Sequence, residues 1–320
     1  MKKNILYILP LVMMALGLTS CSEDSLSSES IITADSYTQN QFDKWLEANF
    51  RNPYNIDFKY RYEEIESDMN YYTVPADMES SIVMAHLLKY LCVETYNEVA
   101  GIEFTRSYFP KMFYLIGTWE YRNNGSYILG TAEGGKKILL TGINFLPEVL
   151  AGTYDRTRDV AEGLNHYYIK TIHHEFTHIL NQTRDFPTSF RQVTPNSYVN
   201  DSQFDEPYLS AYLQRGFISA YAQTEAREDF AEMVSVYVTN SAEWWEEQMK
   251  AADTTWEGDI DQVQTGRALI EQKLDITRAY MRDVWNIDID ELRDCILRRQ
   301  TNITSGKIDL TDISTNELTK

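Results

Sequence analysis

Five histidines occur in the 320 residues, and His166, His173, His174 and His178 crowd into one short stretch. His174 and His178 stand four apart with Glu175 directly after the first. On a helix that spacing is about 1.1 turns, so both imidazoles leave from one face. Two such rings can hold one metal ion, and the acid beside them is free to move protons. His173 is turned about 100° away from His174 and reads as a packing or supporting residue. His166 lies two turns before His174, where lining a cleft and facing solvent are equally good readings. His86 sits in an apolar helical pattern and reads as a core or surface residue.

His174-Glu175-Phe176-Thr177-His178 is the H-E-x-x-H pattern of zinc peptidases. At about 100° per residue, Ile169, Ile172, Phe176, Ile179 and Leu180 form one apolar stripe, with both imidazoles on the opposite side. A catalytic zinc needs a third protein ligand and an open position for water. A further histidine six residues on is excluded, because Asn181 and Arg184 stand where such a motif would continue and no histidine follows His178. A carboxylate on a later helix remains, and Tyr221 to Met233 offers Glu225, Glu228, Asp229 and Glu232. Phe230, Met233, Val234, Tyr237 and Val238 make the apolar stripe there, and Glu228 and Glu232 share the opposite face. One of that pair could bind metal while the other accepts an imidazole N–H. Glu225 lies near the helix start, where the dipole already favours a carboxylate, so it reads as a capping residue.

The elements needed to position these groups are legible in outline. Phe42, Trp45, Leu46 and Phe50 recur at helical spacing, Asn55 to Tyr62 alternates as a strand does, and Met78 to Val99 is a long helical pattern. Met112 to Ile116, Tyr127 to Leu129 and Lys137 to Ile143 read as strands of a meander, separated by Asn123-Asn124-Gly125 and Glu133-Gly134-Gly135. Lys137 to Ile143 is the expected cleft-edge strand, to which an extended peptide could add. A helix follows over about Asp159 to Gln182, then an irregular stretch from Arg184 to Pro207, then mostly helix to Arg299. The expected fold is α+β: a mixed sheet with the metal-binding helix in an N-terminal lobe (36–182), a mainly helical lobe (183–300), and a polar tail (301–320).

The balance of 29 Lys+Arg against 48 Asp+Glu excludes a nucleic-acid-binding role, since phosphate contacts need concentrated cations. Residues 1–20 read as an export signal: Lys2 and Lys3 precede an apolar run from Ile5 to Leu18, short for a membrane span. Leu18-Thr19-Ser20-Cys21 resembles the lipobox of bacterial lipoproteins, which implies lipidation at Cys21 and attachment to the membrane through the lipid alone. Residues 21–35 read as a flexible tether. The acids just after Cys21 resemble surface-export signals, which implies an outer-membrane lipoprotein displayed on the cell surface. Cys92 and Cys295 lie in helix-like segments and read as buried free thiols.

His174-Glu175-x-x-His178 followed by Glu228-Asp229-Phe230-Ala231-Glu232 resembles the gluzincin metallopeptidases, including the lethal-factor type. That resemblance implies one zinc ion with His174, His178 and Glu228 as ligands, and it maps the second acid of the pair to Glu232. It also implies Tyr221, seven residues before the ligand Glu228, as a group that assists the oxyanion, with Glu175 as the base. More broadly the chain is similar to the substrate import-associated zinc metallohydrolase lipoproteins, with a zincin-like fold. The similarity rests on the lipobox, Asn52-Pro53-Tyr54-Asn55-Ile56, Gly130 to Gly135, the His174 motif and Gly216 to Glu232. It implies peptide or glycoprotein substrates and association with a TonB-dependent import complex. Two other readings stay open: a hydrolase of non-peptide amides or esters, and a non-catalytic accessory lipoprotein of the import complex.

Overall fold

Asn40 starts the first helix through a capping box: its side chain accepts from the Asp43 amide while Asp43 accepts from the Asn40 amide. This helix, α1 (residues 41–54), includes a π-helical turn at Glu47–Arg51 and buries Phe42, Trp45, Leu46 and Phe50. It ends at Asn55, whose left-handed backbone (φ 55°) asparagine tolerates better than most residues. The computed structural model describes residues 38–68, 70–200 and 205–314. The expected export signal, the tether with Cys21, and residues 315–320 of the tail lie outside them. The described residues from Asn40 onward form one compact unit.

The strand expected over 55–62 is shorter, β1 (Asp57–Lys59). Asp77 caps α2 (residues 78–100) by accepting from the Ser80 amide, and Gly101 ends it at φ 87°. α3 (Ile102–Tyr108) leads into β2 (Met112–Leu115). β3 (Glu120–Tyr121) and β4 (Tyr127–Ile128) form a small separate hairpin around the Asn123-Asn124-Gly125 turn. β5 (Gly130–Glu133) then turns back into β6 (Lys137–Leu140).

The four-stranded sheet runs β1-β2-β6-β5, with β1, β2 and β6 parallel and only β5 antiparallel. The expected meander is therefore corrected. β2 and β6 are apolar runs buried on both faces, as strands of a parallel arrangement are. Phe113, Leu115, Ile138 and Leu140 face the main core, while Tyr114, Ile116 and Leu139 pack on the other side with Tyr62. The expected edge strand is corrected as well: β6 is interior, and β5 is the edge.

Asp159 and Glu162 make a second capping box and start α4 (residues 160–183), close to the predicted span. A π turn over Asn165–Ile169 closes at Lys170, whose amide bonds back to Asn165. α5 (Ala226–Thr239) packs along α4, followed by α6 (Ala242–Ala251), α7 (Gly266–Trp285) and α8 (Ile289–Thr304). Residues on either side of 182/183 contribute to one core, with Phe176 against Phe104 and Phe109, and Phe230 against Phe186 and Phe190. Within the expected polar tail, residues 301–304 continue α8, and Ile308, Leu310 and Ile313 pack on the core. Both remaining thiols, Cys92 and Cys295, are free and buried, as expected.

Candidate metal centre

The apolar stripe of α4 is fully buried, as its periodicity predicts, and anchors the helix so that His174 and His178 face the cleft. Their rings stand 4.7 Å apart at 82°, with the two Nε2 atoms 3.0 Å from each other. Glu228, in the first turn of α5, brings Oε2 to 2.9 Å from His174 Nε2 and 3.2 Å from His178 Nε2. Among the described residues these three form the group that could hold a metal ion. Asp229, another candidate from the sequence, is instead sealed behind α5 against Lys273 at 2.7 Å and Tyr198 at 2.9 Å.

The donor set tests whether a cation fits. Glu232 Oε1 lies 2.9 Å from Nδ1 of His174, although the N–H does not point straight at it. With the ring proton on that side, Nε2 of His174 presents a lone pair to a carboxylate oxygen and to a second imidazole. Three electron-pair donors so close repel one another unless positive charge sits between them. The pocket favours that charge. Burial works against a charged His174, yet Glu228 and Glu232 outweigh it and raise its pKa to about 9. Burial likewise opposes a charged Glu228, but His174 and His178 hold its pKa down to about 2. Two imidazoles and a carboxylate are a donor set zinc accepts.

Glu232 is almost wholly buried, where a lone carboxylate is costly. It receives Lys170 Nζ at 2.9 and 3.2 Å and the Ser219 hydroxyl at 2.7 Å. Glu175 lines the same cleft without joining the three-atom cluster. Burial raises its pKa, while His174 and His178 pull the other way and the Ala132 amide of β5 donates to it. Tyr221 begins a short 3-10 turn ahead of α5, with its ring 5.9 Å from that of His174 and its hydroxyl against Glu228. Burial is the main cause of its raised pKa.

The cleft has a volume of about 830 Å³, and β5 forms one wall. The Thr141 amide bonds the Leu129 carbonyl, so alternate residues of β5 face β6 and leave the main-chain groups of Gly130 and Ala132 pointing outward. Gly130 lets the strand lie this close, because a Cβ there would come within 2.8 Å of the Thr171 methyl on α4.

Not every candidate joins the site. Glu225 occupies the N-cap position of α5, but its side chain makes no capping bond and instead lines the cleft, which corrects the capping reading. His173 faces the core, 3.1 Å from the Tyr96 hydroxyl, and burial lowers its pKa to about 3. His166 packs edge-on against Tyr167 and is not among the cleft-lining residues. His86 stands against Trp45. Lys170 and Ser219 escaped the sequence reading, although Lys170 precedes His174 by one turn on the same helix face. β5 escaped as well.

A mixed sheet with an antiparallel edge, set over a helix bearing His-Glu-x-x-His and faced by a glutamate from a later helix, defines a zinc metallopeptidase of the zincin type. The family described as "Putative zinc-binding metallo-peptidase" matches residues 35–290, and the chain belongs to it. It is similar to a crystal structure of the same description from Bacteroides caccae ATCC 43185, at 35% identity and a TM-score of 0.67, covering 89% of this chain and 100% of that one. No curated protein matches the chain.

Proposed function

We propose that the chain is a one-zinc peptidase that cleaves extended peptide segments, with His174, His178 and Glu228 as the ligands. The observation that carries this reading is the convergence of three lone-pair atoms within 2.9–3.2 Å, beside Glu175. Zinc bound there would lower the pKa of a water molecule and polarise a carbonyl. Glu175, held by the Ala132 amide and made more basic by burial, takes the water proton and passes it to the leaving amine. Tyr221, partly exposed at the cleft, donates a hydrogen bond to the developing oxyanion. The main-chain groups of Gly130 and the carbonyl of Ala132 face away from β6 and are open to an extended substrate, which favours a peptide over a compact amide or ester.

The proposal places this activity in a lipoprotein anchored through Cys21 at the outer membrane, facing outward and working with a TonB-dependent import complex on peptides or glycoproteins. The supports are the apolar run from Ile5 to Leu18, the lipobox-like Leu18 to Cys21, and the family resemblance. A chain starting at Ser22, loaded with zinc and given a peptide library, should cut internal bonds, lose activity to a chelator and regain it with zinc. Hydrolysis of small esters or amides with every peptide left intact would overturn the substrate assignment. Cys21→Ser should move the protein from the membrane to the soluble fraction. A variant that stays with the membrane would remove the lipid anchor from the proposal.

A further inference from the structure

We infer that Lys170 is a positioning residue of the metal centre: it fixes the Glu232 carboxylate that faces His174. The inference rests on the reading of His174 as a metal ligand and assigns the group behind that ligand.

The argument starts from Glu232, whose side chain is 1% exposed while Lys170 keeps 27%. A carboxylate withdrawn from water needs its lone pairs filled, or it turns toward whatever donor it can find. Ser219 donates to Oε2 at 2.7 Å, and Lys170 straddles both oxygens at 2.9 and 3.2 Å. With these two donors in place, Oε1 is left beside Nδ1 of His174 at 2.9 Å. The carboxylate cannot rotate away without breaking both contacts. Lys170 is the cation that does this among the described residues, and its partly exposed side chain also lines the cleft.

The backbone explains why a lysine at 170 reaches this place. The π turn over Asn165–Ile169 ends at Lys170, and from there the helix is in regular α register through His174 and His178. Lys170, His174 and His178 thus recur every fourth residue on the cleft side. The cation, the ligand it serves and the second ligand are carried by one rigid element. Glu232 comes from α5, the same helix that supplies Glu228. This ion pair thus also bridges the two helices on which all three proposed ligands stand.

The test is Lys170→Met, which keeps the length of the side chain and removes its charge. Zinc affinity, measured by competition with a chromophoric chelator, should fall about 10–100-fold. At saturating zinc, kcat for a cleaved peptide should fall while KM changes less than about twofold. Lys170→Arg should recover most of the affinity. The double variant Lys170→Met with Glu232→Gln should bind zinc no more weakly than Glu232→Gln alone, because the charge needing compensation is gone. Wild-type affinity in Lys170→Met overturns the inference, as does a change in KM alone, which would place Lys170 on the substrate. Losses that multiply in the double variant also overturn it. These outcomes differ from failure of the ligand reading itself, which would show as full zinc binding in His178→Ala.

Discussion

Glu175→Gln is expected to bind zinc like the wild type and to lose roughly 100- to 10,000-fold in turnover. The amide keeps the shape of the carboxylate but cannot accept a proton at neutral pH. Nothing in the metal cluster should move, since Glu175 lies beside the three converging donors and is not one of them. Its partner is the Ala132 amide, which can still donate, more weakly, to the carbonyl of glutamine. The base is thus separable from the ligands. Zinc content and kcat measured on one preparation check the prediction. A variant that loses both together would show that residue 175 holds metal, and one that keeps turnover would remove the base assignment.

How much of this was legible beforehand depends on how local the signal is. The His174–His178 pair follows from helical spacing alone, and Asp159 with Glu162 marks the start of α4 to within a residue. The buried stripe of Ile172, Phe176, Ile179 and Leu180 is likewise a property of one helix. Glu228 needed more, since spacing could not rank it against Glu232, and the resemblance supplied the order. What failed to show was non-local. Gly130-Thr131-Ala132-Glu133 carries no apolar alternation, and pairing with β6 is what makes it a strand. The β2–β6 pairing joins segments separated by a whole hairpin, which no local pattern reports. Asp229 and Glu232 are charged, yet they are buried because α4 and α7 cover them, a fact that α5 alone does not carry. Lys170 matters only through Glu232, a residue far along the chain.

Removing a ligand should have the other large effect, and His173, on the same helix but outside the motif, makes the contrast sharp. His178→Ala takes away one of three donors, leaving His174 and Glu228, too few to complete a zinc site. The purified variant should contain little zinc and show no metal-dependent hydrolysis. Its thermal unfolding should also stop responding to chelator. The reason is linkage: zinc bound only to the folded chain adds about 4 kcal/mol when present at 1,000 times its dissociation constant. The wild type should therefore melt several degrees lower once chelator strips the metal, and His178→Ala should melt at one temperature with or without it. His173→Ala tests the same helix one face over. That ring sits in the core against Tyr96 and Cys92 and is not among the cleft-lining residues. Losing it leaves the Tyr96 hydroxyl without its partner and opens a cavity, so stability should fall by roughly 2–4 kcal/mol. Zinc stoichiometry and the response to chelator should persist. Equal zinc loss in both variants would mean that the helix as a whole, and not the His174–His178 pair, governs binding. Zinc retained by His178→Ala and lost by His173→Ala would take His178 out of the ligand set, and the Glu228 assignment with it.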